Sequence, residues 1–425
     1  RMAARAPGAE GQVLTPSRAE QGINTAPTLS AADEIAQLRA ENERLRQLLE
    51  QQGRLEAPAA LGSMRQPKIP YDQFQHSGAR LGGITKRLMK AGAIRETTEF
   101  PYLPQPTTDP EQLEADFMRW GYCMVKDALS PTQVQAQLER LMDQAAAERA
   151  AKVANMSHGN RAQLVGNVLP KGQVFRDAIA FEASACQGGP LVEKVLRKAL
   201  GPGFYLGTAH GSVVHQGGGL QDMHQDQGYV PLPHPPYPLA VLIIWLFSDF
   251  SLENGGTYLV PGSHIDEQGN NLVRPGADFE KLVQQEPGLC ALKAPAGQCF
   301  VMDARLLHSG GRRTAPGTRY AMRNLYIRGH MRQQENMFLG CPDDVYERCS
   351  PKLRALMGFK PYNGLGMVHG NAIDPGPKQV PVGELSMSRP EEFDQDFDWK
   401  HSVLAKLSRE GGSPYAEYRG PRSKL

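Results

Sequence analysis

The sequence of 425 residues has little of what a membrane protein or a disulfide-bonded scaffold requires. Its longest apolar run, residues 238–247, is about half as long as a membrane-spanning helix. Its 6 cysteines include no Cys-x-x-Cys pair and are too sparse for a disulfide framework. We therefore expect no membrane span and a reducing intracellular compartment.

An excess of charge of one sign is also missing. The chain has 47 Lys and Arg residues against 45 Asp and Glu residues, which leaves a formal net charge of +2. This balance gives no reason to expect nucleic acid or an anionic membrane surface as a partner. Glycine and proline, in contrast, are frequent, with 44 and 33 residues. Their abundance favours a loop-rich, mainly β protein over a helical bundle.

Two N-terminal segments precede the globular part of the chain. Residues 1–29 are polar and show no hydrophobic periodicity, which predicts disorder. Residues 30–53 repeat apolar side chains every 3.5 residues, with Asn42 at an a position, which predicts a short coiled-coil-like helix. One interpretation is a parallel homodimer through this segment. The alternative is a single amphipathic helix that packs on the main domain or stays mobile.

A globular domain follows, with an extension on each side. Residues 54–108 are interrupted by prolines and are interpreted as a linker or wrapping segment. The globular pattern covers residues 109–370, and residues 371–425 form a polar, Pro- and Gly-rich C-terminal extension. The chain ends in Ser423-Lys424-Leu425, a tripeptide that the peroxisomal import receptor reads at a free C-terminus. We expect peroxisomal import in a eukaryotic host, and otherwise a cytoplasmic protein.

Local patterns in the globular segment predict a mainly β fold with flanking helices. Ser130-Pro131 and Ser350-Pro351 each combine an N-cap residue with a proline in the first turn, and we expect a helix to begin at each. From residue 204 to residue 329, short β-rich runs alternate with turns that contain glycine or proline. This spacing is typical of a sandwich or a barrel.

Two histidines and one carboxylate have the spacing of a metal site. His224 and Asp226 are two residues apart, so on a strand both side chains point to the same face. His308 follows 82 residues after Asp226, directly after another β-rich run. Such a set forms the facial triad of non-haem Fe(II) oxygenases, which leaves coordination positions open for a chelating co-substrate and O2. Arg319, eleven residues after His308, has a guanidinium suited to bidentate binding of a carboxylate.

The order and spacing of these motifs over about residues 110–370 resemble the phytanoyl-CoA dioxygenase family of Fe(II)/2-oxoglutarate oxygenases. The resemblance rests on an N-terminal element, the metal motif, a turn and strand in mid-domain, the distal ligand with its anchor, and a C-terminal segment. The matching residues are Asp116-Phe117, Gly121-Tyr122, Leu129-Ser130, His224-Gln225-Asp226, Asn254-Gly255-Gly256-Thr257, Val260-Pro261-Gly262-Ser263-His264, His308, Arg319 and Leu353 to Leu365.

The resemblance implies a fold and a metal centre. The fold would be a double-stranded β-helix, or jelly roll, which is a cupin-like and mainly β architecture with flanking helices. His224, Asp226 and His308 would bind Fe(II), and Arg319 would pair with the distal carboxylate of 2-oxoglutarate. The carboxylate of Asp226 stands where related halogenases have Ala or Gly, so the resemblance implies a hydroxylase. The metal would carry the chemistry, and no catalytic residue beyond the metal centre is expected.

Two further residues match family positions that border the 2-oxoglutarate pocket. They are Gln225 and Trp245. For Trp245 a core position in a buried strand is an equally good interpretation.

The turn after the distal histidine departs from the family pattern. Members of the family often carry Asn five residues after this histidine, whereas this chain has Arg313 there, next to Arg312. The two arginines could grip an anionic substrate group such as a carboxylate or a CoA phosphate. The simpler interpretation, which we favour, is two solvated side chains on an exposed turn.

These observations predict an Fe(II)- and 2-oxoglutarate-dependent dioxygenase that hydroxylates a small organic substrate with O2. A fatty acyl-CoA or another lipid-derived carboxylate is the first expectation for the substrate, because of the C-terminal tripeptide. The alternative is a natural product or an amino-acid-like metabolite. A third possibility, from a different functional class, is a jelly-roll binding protein without catalytic activity.

Overall fold

The computed structural model describes residues 85–89, 93–230, 234–266, 281, 283 and 285–367. The chain divides into two compact units, residues 1–68 and 69–425, and the described residues all lie in the second unit. The strands are β1 (Arg95–Glu96), β2 (Tyr122–Val125), β3 (Asn155–Ser157), β4 (Ala162–Val165), β5 (Phe204–His215), β6 (Ala240–Leu246), β7 (Tyr258–Leu259), β8 (Cys290–Ala291), β9 (Cys299–Asp303), β10 (His308–Ser309) and β11 (Thr318–Arg328). The α-helices are α1 (Pro110–Trp120), α2 (Pro131–Ala150), α3 (Gln173–Ile179), α4 (Gly189–Leu200), α5 (Met337–Gly340), α6 (Asp343–Glu347) and α7 (Pro351–Leu356).

Two sheets form the β core. The larger sheet has seven strands in the order β2-β9-β6-β11-β5-β4-β3, and every pairing within it is antiparallel. The smaller sheet has four short strands in the order β1-β8-β7-β10. The two-sheet arrangement with helices on one side confirms the predicted jelly-roll class. It also confirms the mainly β expectation that the Gly- and Pro-separated runs supported.

Alternation along the strands separates two apolar layers. Side chains of β6 and β11 that point to one face, such as Leu242, Ile244 and Ala321, pack with Leu259 of the smaller sheet and with Leu292, which directly follows β8. Successive side chains of a strand point to opposite faces, so the intervening residues lie on the other side of the sheet. Those residues join a second layer that is closed by the helices. It includes Val241, Ile243, Trp245, Met322, Tyr326, Phe175, Val192 and Leu196.

The helices begin and end where the sequence supplies capping groups. The Ser130 side chain accepts a hydrogen bond from the Gln133 N–H at the start of α2, and the Ser350 side chain accepts one from the Leu353 N–H at the start of α7. Each cap satisfies a backbone donor that the first turn would otherwise leave unpaired. Helix α1 ends at Gly121 in the left-handed conformation, with φ of 77°, and the chain then enters β2. The predicted helix starts are therefore confirmed.

Part of the segment 54–108 packs against the domain that was predicted to begin at residue 109. Within this segment, which was interpreted as a linker or wrapping segment, β1 pairs in parallel with β8 of the smaller sheet. Phe100 and Leu103 are also buried. The two-residue strand lacks an alternating pattern long enough to be detected, so sequence periodicity did not reveal it.

Several predictions concern residues outside the described part of the chain. They are the disordered segment 1–29, the coiled-coil-like helix over 30–53 with its homodimer, and the extension 371–425 with its peroxisomal tripeptide. In the described part of the chain, no helix has both the length and the apolar character needed to span a membrane. All 6 cysteines are buried free thiols.

Candidate metal and co-substrate site

Backbone pairing brings the two histidines together across the gap in sequence. The His224 N–H donates to the His308 carbonyl at 2.8 Å, and the His308 N–H donates to the His224 carbonyl at 3.0 Å. This isolated antiparallel bridge joins the His224 segment to β10, which itself pairs with β7 in the smaller sheet. The centroids of the two imidazole rings are consequently 4.4 Å apart.

The neighbouring backbone sets the orientation of both imidazoles. His224 Nδ1 lies 2.8 Å from the Asp222 carbonyl, and His308 Nδ1 lies 3.0 Å from the Leu306 carbonyl. A carbonyl oxygen can only accept, so the proton of each neutral ring resides on Nδ1. Each Nε2 is thereby left with a lone pair, the form that a metal ion requires.

Asp226 faces both histidines. Its Oδ1 lies 3.5 Å from His224 Nε2, and its Oδ2 lies 3.5 Å from His308 Nε2. The three ligand atoms lie within 4.8 Å of one another, and no other group of histidine, cysteine or carboxylate side chains among the described residues meets this condition. Bonds of about 2.0–2.2 Å from a central cation to nitrogen and oxygen ligands fit these separations. Two imidazoles and one carboxylate are the ligand set that binds Fe(II) with open positions.

The titration of the triad favours metal binding near neutral pH. Burial would raise the pKa of the Asp226 carboxyl, but the two neighbouring imidazoles outweigh burial and hold this pKa well below its usual range. Burial lowers the pKa of the His308 imidazole to about 4. For His224 burial acts in the same direction, but the Asp226 carboxylate outweighs it and raises the pKa. Protons therefore compete with a cation mainly at His224, and acidification weakens metal binding.

Arg319 lines the same cavity as His308 of the triad. It is located on β11, opposite Val214 of β5, and is buried. One terminal nitrogen donates to the Gly255 carbonyl, and Cζ lies 4.6 Å from the centroid of the Phe250 ring. Its Nε is buried and has no acceptor among the described residues. Burial lowers the pKa of the Arg319 guanidinium to about 9, which leaves the side chain charged at neutral pH.

The cavity has a volume of about 270 Å³ and lies between the inner face of the larger sheet and the His308 segment. Its wall combines apolar side chains with a few polar groups, as is usual for small-molecule sites. The apolar wall includes Leu242, Ile244 and Phe250. Its polar part includes Ser212, Gln221, Thr257, His308, Arg319 and Arg323.

Close backbone packing explains the two glycines that follow His308. A Cβ at Gly310 would overlap the Gly219 carbonyl, and a Cβ at Gly311 would overlap the Gly256 carbonyl. Only glycine permits so close an approach of backbone segments. The Gly310 N–H also donates to Gln221 Oε1 at 3.0 Å, which ties this turn to the segment before His224.

These groups fit an iron and 2-oxoglutarate site. The triad provides two oriented Nε2 atoms and a carboxylate, and Arg319 provides a charged side chain whose buried Nε has no acceptor among the residues that the structure describes. An unpaired buried donor is costly unless a ligand satisfies it. A dicarboxylate co-substrate would supply that acceptor.

The cavity residues that were not singled out from the sequence include Ser212, Gln221 and Arg323. Thr257 belongs to the mid-domain turn that the resemblance used, yet its position in the wall was not inferred. Arg323 could have been identified from the strand period, since it lies two alternations beyond Arg319 on β11.

Gln225 and Trp245 lie outside the lining of this cavity. The Gln225 side chain is buried and donates to the Arg305 carbonyl, so it contacts the loop that leads to His308. Trp245 is fully buried in the helix-side layer, because its neighbours Ile244 and Leu246 point to the inner face of β6. Trp245 thus occupies the core position that was the second interpretation, and the structure does not bring it to the triad.

The expectation that Arg312 and Arg313 are both solvated is wrong for Arg313. Its Nε donates to the Gly317 carbonyl at 3.1 Å, and one terminal nitrogen donates to Asn254 Oδ1 at 3.0 Å. The guanidinium is therefore paired with oxygens of the surrounding loops, and Arg313 is buried. Arg312 is exposed and lines a more open cavity beside the first, together with Lys86, His158 and Asp222.

Comparison with known proteins agrees with this geometry. Residues 117–321 match the family model described as phytanoyl-CoA dioxygenase (PhyH). Among curated relatives, the dioxygenase swnH2 of Arthroderma benhamiae is 33% identical over 40% of this chain and 52% of its own length. The dioxygenase af480 of Aspergillus fumigatus is 26% identical over 60% of this chain and 78% of its own length. The multifunctional dioxygenase prhA of Penicillium brasilianum is 26% identical over 60% of this chain and 84% of its own length.

Solved structures with some similarity include two iron- or nickel-bound proteins. EctD from S. alaskensis with bound Fe has a TM-score of 0.42 and 19% identity, covering 56% of this chain and 83% of its own. HygX from Streptomyces hygroscopicus, with nickel and 2-oxoglutarate bound, has a TM-score of 0.41 and 15% identity. That similarity covers 54% of this chain and 90% of HygX.

Proposed function

We propose that this chain, whose residues 117–321 match the family model described as phytanoyl-CoA dioxygenase (PhyH), is an Fe(II)- and 2-oxoglutarate-dependent dioxygenase that hydroxylates a small organic metabolite. The observation that carries the proposal is the convergence of the ligand atoms of His224, Asp226 and His308, of which His308 lines the same cavity as Arg319. The non-catalytic alternative gives no reason for this convergence, because an unliganded triad and an unpaired guanidinium only destabilise a binding scaffold.

Each of these residues has a separate task in the proposed reaction. His224, Asp226 and His308 would hold Fe(II), and Arg319 would pair with the distal carboxylate of 2-oxoglutarate. Bound Fe(II) with 2-oxoglutarate and O2 would supply the oxidising chemistry. The Asp226 carboxylate stands where related halogenases have Ala or Gly, so the proposed product is an alcohol.

The protein also positions the reactants. The apolar side chains Leu242, Ile244 and Phe250 line the same cavity as Arg319. A low-dielectric wall strengthens the pairing between the guanidinium and a carboxylate. The backbone carbonyls of Asp222 and Leu306 hold the two imidazoles in one orientation, so the ligands need no rearrangement when the cation binds.

Of the two substrate classes, we favour a free metabolite over a fatty acyl-CoA. Arg313 is one of the two arginines considered for binding a CoA phosphate, and its guanidinium already donates hydrogen bonds to Gly317 and Asn254 in the neighbouring loops. The dioxygenases of Arthroderma, Aspergillus and Penicillium are compatible with this choice. Succinate formation measured with a panel of acyl-CoAs and a panel of free acids and alcohols tests it. Turnover of acyl-CoAs alone would refute the choice of a free metabolite.

The co-substrate site can be tested without knowledge of the substrate. Fe(II) and 2-oxoglutarate are added to the purified full chain without oxygen, and the visible charge-transfer band of the chelate is recorded. We expect a band in the wild type and in the exposed-residue control His330→Ala, and none in Asp226→Ala or His308→Ala. Circular dichroism of each variant verifies that the fold is retained. A band that survives in His308→Ala would refute the proposed site.

The peroxisomal location predicted from Ser423-Lys424-Leu425 stays a prediction. The homodimer through residues 30–53 also stays a prediction.

A further inference from the structure

A second guanidinium enters the cavity beside Arg319. Arg323 follows Arg319 by four residues on β11, and the strand period places both side chains on the inner face of the larger sheet. Between them lies Ala321, whose small side chain leaves the space open. Arg319, Ala321 and Arg323 all line the cavity that also contains His308.

Arg323 is not neutralised by the protein around it. Among the described residues it has no hydrogen bond and no ion pair, and its Nε is buried without an acceptor. Directly opposite on β5 is His210, which is neutral or cationic and cannot provide a negative charge. The Asp226 carboxylate acts on Arg323 through space, but its two oxygens face the histidines.

The charges of the filled site balance without Arg323. Fe(II) brings two positive charges and 2-oxoglutarate brings two negative ones. The Asp226 carboxylate and the Arg319 guanidinium then cancel each other. The charge of Arg323 is left over beside this site, with its Nε buried from water, and an uncompensated charge removed from water is unfavourable. An additional anion would compensate this charge when the site is fully occupied.

The cavity that adjoins the first one has, like Arg323, an excess of positive charge. The adjoining open cavity, of about 610 Å³, shares His158 and Gln221 with the first. Its charged lining consists of Lys86 and Arg312 against the single carboxylate of Asp222. A basic entrance raises the local concentration of anions and favours their entry.

We propose that Arg323 is a substrate-binding residue and that the organic substrate carries a carboxylate, which pairs with this guanidinium beside the metal centre. The planar fork of arginine matches a carboxylate with two parallel hydrogen bonds, which would fix the position of the substrate as well as its charge. The proposal rests on the proposed function, since it assigns the charge that Fe(II) and 2-oxoglutarate leave uncompensated.

Small carboxylates serve as probes in the test. Acetate, benzoate and octanoate are titrated into the full-length protein loaded with Fe(II) and 2-oxoglutarate without oxygen, and the shift of the charge-transfer band is followed. The matched neutral probes are acetamide, benzamide and octanamide. We expect at least one carboxylate to bind the wild type about ten-fold or more tightly than its amide, as for a charge-assisted hydrogen bond. Equal binding of acid and amide in all three pairs would overturn the proposal.

Variants identify the residue responsible. In Arg323→Gln we expect the preference for the acid to disappear, and in Arg323→Lys, which keeps the charge, we expect part of it to return. Arg332→Gln removes an exposed arginine that does not line the cavity and should behave as the wild type. If Arg323→Gln prevents the band itself from forming, Arg323 belongs to the co-substrate, and the proposal is overturned.

A measurement on the metal-free protein separates this proposal from the proposed function. If no band forms in the wild type, the proposed function fails, and the same probes are compared by their effect on the melting temperature without metal. A rise with a carboxylate that is absent with its amide and absent in Arg323→Gln would support the proposal. No difference between acid and amide would overturn it.

Discussion

Two regions around the cluster of His224, Asp226 and His308 contain arginines with buried donor atoms, and these arginines differ in one respect. At the rim, in the loops before and after His308, Arg305 and Arg313 have their donors paired with protein oxygens. On the inner face of β11, Arg319 and Arg323 each have a buried Nε without an acceptor. The same residue type stabilises a loop in the first region and is available to a ligand in the second.

Burial by itself therefore does not distinguish a structural arginine from a binding one. The criterion is whether the protein supplies the acceptors. Arg305 forms a two-nitrogen pair with Asp303 and also donates to the Pro235 carbonyl at 3.1 Å. Buried donors are almost always satisfied in folded proteins, so unsatisfied donors clustered in one cavity indicate a ligand that completes them.

The largest effect on stability is expected from breaking the rim pair. Arg305→Met leaves the buried Asp303 carboxylate without its partner, which should lower the free energy of unfolding by about 3–5 kcal/mol. Urea denaturation of the metal-free protein measures this. The double variant Asp303→Asn with Arg305→Met should recover part of the loss, because it removes the unpaired charge. If the single variant were as stable as the wild type, Arg305 would not stabilise the fold, and the distinction between the rim and the inner face would be wrong.

The next largest effect concerns the co-substrate. Arg319→Gln should raise the 2-oxoglutarate concentration for half-saturation of the chelate band about 100-fold, because charge-assisted hydrogen bonds to the distal carboxylate are lost. The stability of the metal-free variant should not fall below that of the wild type. A large loss of stability with little change in half-saturation would place Arg319 in the structural class instead.

A smaller loss of stability is expected at the second rim arginine. Arg313→Met removes hydrogen bonds to neutral oxygens, and the free energy of unfolding should fall by about 1–3 kcal/mol. Half-saturation by 2-oxoglutarate should change only a few-fold, since Arg313 does not line the cavity. A change as large as that in Arg319→Gln would contradict the division into two regions.

The smallest effect, of opposite sign, is expected at Arg323. Arg323→Met removes an uncompensated charge from the inner face and adds apolar contacts, so the metal-free protein should become more stable by about 1 kcal/mol. This corresponds to a rise in melting temperature of about 2–4 °C for a domain of this size. A decrease would show that Arg323 stabilises the fold, as the rim arginines do.

Much of the fold could be predicted because its signals are local. The caps at Ser130 and Ser350 lie next to the helices that they start, and the long strands β5 and β11 show their apolar alternation within a dozen residues. The short strands of the smaller sheet were harder to predict from the sequence. A two-residue strand such as β1 is defined by its partner β8, which lies almost two hundred residues away.

The sequence by itself predicted the mainly β class, the resemblance to the phytanoyl-CoA dioxygenase family and a candidate metal site of His224, Asp226 and His308. Residue type and spacing alone indicate which metal suits such a set. Only the tertiary structure decided how the arginines are used, since their acceptors come from distant segments. Asn254 pairs with Arg313 from the turn before β7, whereas no described segment provides an acceptor for Arg323 Nε. Whether a buried donor is paired depends on contacts with segments that are distant in sequence. The residues next to the donor in the sequence do not reveal these contacts.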